Sequence, residues 1–446
     1  MKRLFLSIAL LGTFVFQADA QRISGTWHGE MQLNSLKLNL VLHLDGDSVC
    51  TVDSPDQGAK GIAGTVKELT AEKVDVQFPM LMAAYTAELK EGKLVGTFKQ
   101  RGFTVPLTLE PGDLVRQRPQ TPKPPFPYET YEVKIAVPSP YGGETERGYT
   151  LAGTLTLPPS FGEGTRASLC LLMVTGSGLQ DRDETLFEHK PFAVIADYLA
   201  RHGIATLRYD DRGFGQSTGD PSNCTTADFA EDAAACISFL RSTPLLKRVD
   251  KGRLKVGVLG HSEGGSIAFM LGAKSLPTRE GGQSKPFVDC IVALAAPGIK
   301  GDTLLVEQTN ALLRLNGQPA NMTLKRLRLT MAMQPTNPWY EYFVEYDPSA
   351  DIAATRCPVL ALNGSLDCQV LPNSNLSAIR SLLRLSEWSA TSPYGGETEG
   401  GFYKEYPGLN HLFQHAQTGA ATEYGNIEET ISEEVLRDIV TWLHSL

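Results

Sequence analysis

From Glu129 onward, short apolar runs alternate with helical patterns, and this alternation limits the possible folds more than any other feature of the chain. The run Leu169–Val174, LCLLMV, is apolar on both faces, so as a strand it must be covered on both sides. Further runs at 204–209, 254–260, 288–296, 358–363 and 402–406 are interleaved with helical patterns at 192–202, at 226–241, after residue 262, at 373–385 and at 432–444. Repeated strand–helix–strand units predict a mostly parallel, doubly wound sheet. A hairpin of strands near 131–137 and 149–157 comes before it. Between 301 and 352 the alternation stops, and two amphipathic helical stretches followed by Pro335 and Trp339-Tyr340 predict a helical cap inserted over one edge of the sheet.

The first part of the chain has a different period. From Ile23 to about Asp113, alternating runs are punctuated by turns such as Asp45-Gly46-Asp47 and Glu91-Gly92-Lys93, which predicts a small antiparallel β barrel or sandwich over residues 21–113. Gly-Thr-Trp-His-Gly near its start resembles the first strand of lipocalin-like barrels, and Trp27 is expected in the core. Residues 114–128 hold five prolines and no periodic pattern, which predicts a stiff linker and a domain boundary. Two domains also suit a chain of 446 residues.

Lys2 and Arg3, an apolar stretch from Leu4 to Phe16 and the small residues of Ala18-Asp19-Ala20 read as a signal peptide over 1–20, with cleavage before Gln21. The chain is therefore expected to be exported, to the periplasm or beyond. No later segment approaches the ~18 apolar residues of a membrane span. A net charge of −9 offers nothing to attract nucleic acid or an anionic surface, so neither is expected as a partner. The seven cysteines are odd in number, with Cys170, Cys290 and Cys357 in apolar runs, and Cys224 and Cys236 too far apart along a helix to bridge. No Cys/His spacing suits a metal, and no cofactor is expected. The octapeptide Ser-Pro-Tyr-Gly-Gly-Glu-Thr-Glu occurs at 139–146 and again at 392–399, each time reading as a solvated turn.

Chemistry enters at V-G-V-L-G-H-S-E-G-G-S-I-A-F, residues 256–269, a strand, a sharp glycine-rich turn and a helix, with Ser262 at the turn. A serine hydroxyl needs a histidine to take its proton and an acid to orient that histidine. In this arrangement both follow later in the chain, each after a strand. Asp367 follows strand 358–363 in Asn-Gly-Ser-Leu-Asp, and His411 follows strand 402–406 in Pro-Gly-Leu-Asn-His. Asp347, Asp351 and His415 compete less well for these roles, and His261 is expected to pack beside the turn. Oxyanion donors are expected from the backbone N–H of Glu263 and from Ser177 or Gly178 in the loop after Val174. Asp181, Arg182 and Asp183 of that loop, and the turn from Asp210 to Ser217, read mainly as structural.

The segments G-S-G-L-Q-D-R-D-E, D-D-R-G-F-G-Q-S, G-H-S-E-G-G, L-N-G-S-L-D-C-Q-V and P-G-L-N-H-L-F, in that order, resemble bacterial α/β-hydrolase esterases of the EstD type over about 130–446. Thr175 stands where such enzymes often carry histidine in the oxyanion loop. The resemblance implies an α/β-hydrolase fold over 129–446 and a carboxylesterase acting on small, short-chain acyl esters through Ser262, Asp367 and His411. The alternatives are a serine peptidase or amidase of the same fold, and a catalytically silent binder whose β domain captures a glycan or lipid.

Overall fold

The computed structural model describes residues 23–446 apart from 34–35, 47, 139–147, 160, 164–167, 248, 250–252, 277–284, 334–335 and 390–400. The expected signal peptide, both copies of the octapeptide and Pro335 lie outside the described residues. The chain divides into two compact units, residues 1–115 and 116–446.

The first unit is an eight-stranded closed barrel. Its strands are β1 (Gly25–Leu33), β2 (Leu36–Leu44), β3 (Val49–Ser54), β4 (Ala59–Leu69), β5 (Lys73–Phe78), β6 (Ala83–Lys90), β7 (Lys93–Gln100) and β8 (Phe103–Pro111), each antiparallel to the next. Pairing of Trp27 with Pro111 and His28 with Glu110 closes the ring, which decides between the barrel and the sandwich. Alternation drives the fold: on β5, Val74, Val76 and Phe78 are buried and the residues between them are not. Side chains including Trp27, Met31, Leu42, Tyr85 and Phe98 form the core, so Trp27 is packed as expected. The Tyr85 hydroxyl lies within hydrogen-bond reach of the carbonyls of Leu94 and Leu107, at 2.9 and 3.2 Å.

The second unit holds a nine-stranded sheet. In chain order its strands are β9 (Glu129–Val137), β10 (Tyr149–Leu157), β11 (Ser168–Val174), β12 (Ala205–Tyr209), β13 (Leu254–His261), β16 (Ile291–Leu294), β17 (Val359–Gly364), β18 (Ser386–Glu387) and β19 (Gly401–Tyr406), with a separate short pair, β14 (Ser275–Leu276) and β15 (Lys285–Pro286). Across the sheet the order is β18-β19-β17-β16-β13-β11-β12-β10-β9, parallel except for the β9–β10 hairpin and its edge on β12. The β11 run divides its side chains between two cores. Cys170, Leu172 and Val174 pack with residues of α2 (Thr226–Ser242) and α3 (Glu263–Ala273), while Leu169, Leu171 and Met173 pack with residues of α1 (Pro191–Arg201) and α10 (Glu433–Ser445). Burial on both faces is why that strand is apolar throughout.

The insertion contains α4 (Gly301–Leu315), α5 (Leu324–Met333), α6 (Pro338–Glu345) and α7 (Ser349–Ala354). Two helices were expected here. The third, α6, begins where Asn337 accepts the N–H of Tyr340 at 2.8 Å and Pro338 takes the first helical position. The fourth does not act as cap, because Ile352 of α7 lies in the core beneath the sheet. Two shorter helices complete the unit, α8 (Asn375–Leu383) and α9 (Ala421–Tyr424).

Residues 116–128 are a correction to the linker expected over 114–128. They belong to the second unit, where the Arg118 guanidinium donates to the carbonyls of Phe187, Gly425 and Ile427 at 2.7–3.0 Å and the Gln120 side chain bonds the backbone of Thr430 and Ile431. Carbonyls of the 187 and 425–427 segments that take their donors from Arg118 hold this stretch against the unit.

Candidate active site

Ser262 sits between β13 and α3 with φ 53° and ψ −120°, a conformation that costs a non-glycine residue about 1–3 kcal/mol and lifts its side chain out of the strand. Close packing on either side explains the glycines. A Cβ at Gly264 would meet the Val174 carbonyl at 2.1 Å, and one at Gly265 would meet the Ala296 side chain at 2.3 Å. The serine N–H donates to the Leu294 carbonyl of β16 at 2.9 Å, and its own carbonyl accepts from Gly265 at 2.9 Å.

Asp367 and His411 arrive from the ends of β17 and β19. His411 Nδ1 lies 2.7 Å from Asp367 Oδ2, and Asp367 Oδ1 accepts the N–H groups of Gln369 and Val370 at 2.8 Å each. Both residues are buried. Ser262 and His411 line one cavity of about 290 Å³, together with Gly176, Ser177 and Glu184. The competing residues lie elsewhere: Asp351 accepts from the Tyr346 hydroxyl, Asp347 accepts the Ser349 N–H, and His415 is exposed and paired with Glu429.

The loop after β11 comes close to the serine, since a Cβ on Gly176 would stand 3.2 Å from Ser262 Cβ. Of the two candidate oxyanion residues here, Ser177 lines the cavity of Ser262, whereas Gly178 lines a separate small cavity behind the loop. Glu263, whose N–H begins α3, carries a buried carboxyl that accepts from the Thr226 hydroxyl at 2.6 Å and Trp339 Nε1 at 2.8 Å. Burial pushes the pKa of that carboxyl up. Asp211 fixes the far end of the loop by accepting the Gln180 N–H at 2.8 Å, and burial raises its pKa to about 8. Arg182 pairs with Asp210 and Glu132, and Asp183 pairs with Arg208 and Lys190, so these loop charges form a structural network. That network lines a wider cleft of about 580 Å³ that includes none of Ser262, Asp367 and His411.

Two features were not foreseen. Glu184, the last residue of the G-S-G-L-Q-D-R-D-E segment, is buried with φ 53° and joins the loop to His261, whose two ring nitrogens are both engaged. Trp339 and Phe343 of α6, stacked at 5.4 Å, form the cap wall of the cavity with Leu304 and Leu305 of α4. The position of Glu184 within a motif was the available signal for the first, and the aromatic pair four residues apart for the second. All seven cysteines are free and buried, and no group of His, Cys, Asp and Glu suited to a metal occurs among the described residues.

The family model for serine aminopeptidase S33 matches residues 188–363, a span that includes Ser262 and stops short of Asp367 and His411. Over 232 residues the chain is 28% identical to Esterase EstD of Thermotoga maritima, with 49% of this chain and 50% of the relative covered. The chain thus spans about half the length of the curated relative it matches. Among solved structures, the Pyrococcus furiosus esterase Pf2001 is 14% identical with a TM-score of 0.42, covering 75% of this chain and 98% of its own. Ferulic-acid-bound Est1E from Butyrivibrio proteoclasticus is 16% identical with a TM-score of 0.39, covering 65% and 96%. With its mostly parallel sheet and its serine at a strand–helix turn, the second unit has an α/β-hydrolase fold, the chain is similar to Esterase EstD over about half of each length, and an eight-stranded barrel precedes the sheet.

Proposed function

We propose that this protein hydrolyses carboxylic esters through an acyl-enzyme on Ser262. The supporting observation is the buried Asp367–His411 pair, 2.7 Å apart, beside a cavity that also exposes a serine held at positive φ. Asp367 holds His411 with Nδ1–H toward the carboxylate, which leaves Nε2 to take the Ser262 proton as Oγ attacks the ester carbonyl. The negative charge that develops on the carbonyl oxygen is met by the N–H groups of Glu263 and Ser177. Gly176 is not a donor in this scheme, because its N–H is already given to Glu184 at 2.9 Å. Collapse of the intermediate expels the alcohol, which takes its proton from His411, and water then releases the acid by the same route. No step requires a metal or cofactor.

The cavity volume and its wall of Leu304, Leu305, Trp339, Phe343, Val370 and Leu412 favour small acyl groups. The match to a serine aminopeptidase model gives the peptidase alternative a specific basis. An aminopeptidase needs a free carboxylate for the substrate ammonium. Glu184 is the one carboxylate among the described residues that line the cavity, and it is paired with His261.

The test is hydrolysis of p-nitrophenyl acetate through octanoate beside aminoacyl p-nitroanilides, with Ser262→Ala as control. Ester turnover that falls at least about a thousandfold in the variant supports the proposal. Anilide turnover without ester turnover selects the peptidase. Export is proposed as well, and N-terminal sequencing of the secreted or periplasmic protein should begin at Gln21.

A further inference from the structure

We propose that Glu184 is a positioning residue that clamps the oxyanion loop, the nucleophile strand and the histidine loop together, an inference that rests on the ester-hydrolase reading. One carboxylate oxygen, Oε1, accepts both the Gly176 N–H at 2.9 Å and His261 Nδ1 at 2.8 Å. The other nitrogen of the same imidazole, Nε2, meets the His411 carbonyl at 3.0 Å. A single path of three hydrogen bonds therefore joins the loop facing the oxyanion to the backbone of the base, through the residue next to Ser262.

The His411 carbonyl can only accept, so His261 Nε2 carries a proton, and opposite an ionised Glu184 its Nδ1 carries a second, which makes the ring an imidazolium. Glu184 is its buried counter-ion. Burial is the largest influence and works against this charge, but the Glu184 carboxylate, the His411 carbonyl and the Asp367 carboxylate together outweigh it and hold the His261 pKa above the usual range. Besides Glu184, the groups facing the ring are the Asp367 carboxylate and the His411 ring, 4.7 Å away between centroids. Deprotonation of His261 removes one end of the clamp. Glu184 itself is held at φ 53°, a strained backbone for glutamate, and its side chain is almost fully buried.

Three measurements on the full chain test this, with ester turnover, labelling of Ser262 by a fluorophosphonate, and the melting temperature read for wild type, Glu184→Ala and Glu184→Gln. Glu184→Ala is expected to lower kcat and the labelling rate by roughly 10- to 100-fold with KM within about threefold, the scale of a small misplacement at the site. Glu184→Gln keeps an acceptor for Gly176 but removes the counter-ion, so His261 is protonated only at lower pH. The ratio of variant to wild-type kcat should therefore rise as pH falls from about 8 to about 6, the ratio being taken at each pH.

Wild-type kcat in both variants, or a loss that does not change with pH in Glu184→Gln, would overturn the clamp. Where Glu184→Ala does not fold, the near-isosteric Glu184→Gln carries the test alone. A wild type that labels but hydrolyses no ester defeats the ester reading and leaves the clamp to be judged from labelling rates. A wild type that neither labels nor turns over defeats both.

Discussion

Asp367 Oδ2 lies 2.7 Å from His411 Nδ1 while the other oxygen of the same carboxylate is bound by two backbone N–H groups, so the acid is fixed on one side and orients the histidine on the other. Asp367→Asn keeps the size of the side chain but can present an N–H where His411 needs an acceptor. We expect kcat to fall by about 10³–10⁴ with little change in KM, measured on p-nitrophenyl acetate, and with the fold intact by circular dichroism.

Gly264→Ala tests the packing of the turn. In an ordinary first turn of a helix alanine would be stabilising. Here its Cβ meets the Val174 carbonyl at 2.1 Å, a backbone atom of the central sheet that cannot yield cheaply. A loss of about 1–3 kcal/mol or more is expected, read as a lower melting temperature and less soluble protein. An unchanged melting temperature would mean that strand and helix can separate at this point.

The Trp339 ring closes the cavity from the cap and is tied to Glu263 by a 2.8 Å hydrogen bond. Trp339→Ala should open room for longer acyl chains. The kcat/KM ratio of octanoate to acetate is expected to rise about tenfold over wild type. A ratio that stays constant would exclude the α6 wall from acyl selection.

Asp211 supplies a pH dependence of stability. Its carboxyl stays protonated to about pH 8 in the folded protein. In the unfolded chain it loses its proton near pH 4. The folded state therefore holds the extra proton between these values, and the group's stabilising contribution is complete below about pH 4 and is lost as pH rises through about 8. Asp211→Asn cannot titrate and keeps the acceptor for Gln180. The melting temperature of wild type should drop relative to the variant between about pH 5 and 8 and run parallel above that range.

Much of the fold was legible because its signals are local. The two-residue period of Val74, Val76 and Phe78 marked a barrel strand, and the unbroken run from Leu169 to Val174 marked a strand buried on both faces. The α6 start was also present in Asn337 and Pro338 but was masked by the loop-like Pro335 and the aromatic residues that follow. The linker was misplaced for a different reason. Five prolines stiffen a segment, but the carbonyls that hold Arg118 are about 70 and 310 positions away along the chain.

What the amino-acid sequence by itself determined is the order and type of the main strands and helices around the sheet and the loops on which Ser262, Asp367 and His411 ride, since apolar periodicity and the turn glycines are read within a few residues of each site. Only the tertiary structure decided that Ser177 rather than Gly178 faces the cavity, and that Glu184 meets a histidine 77 positions later, which in turn reaches the backbone of His411 150 positions further on. These contacts form where loops from different strands converge at one edge of a parallel sheet. Strand order sets that convergence, and no short-range pattern in the chain encodes it.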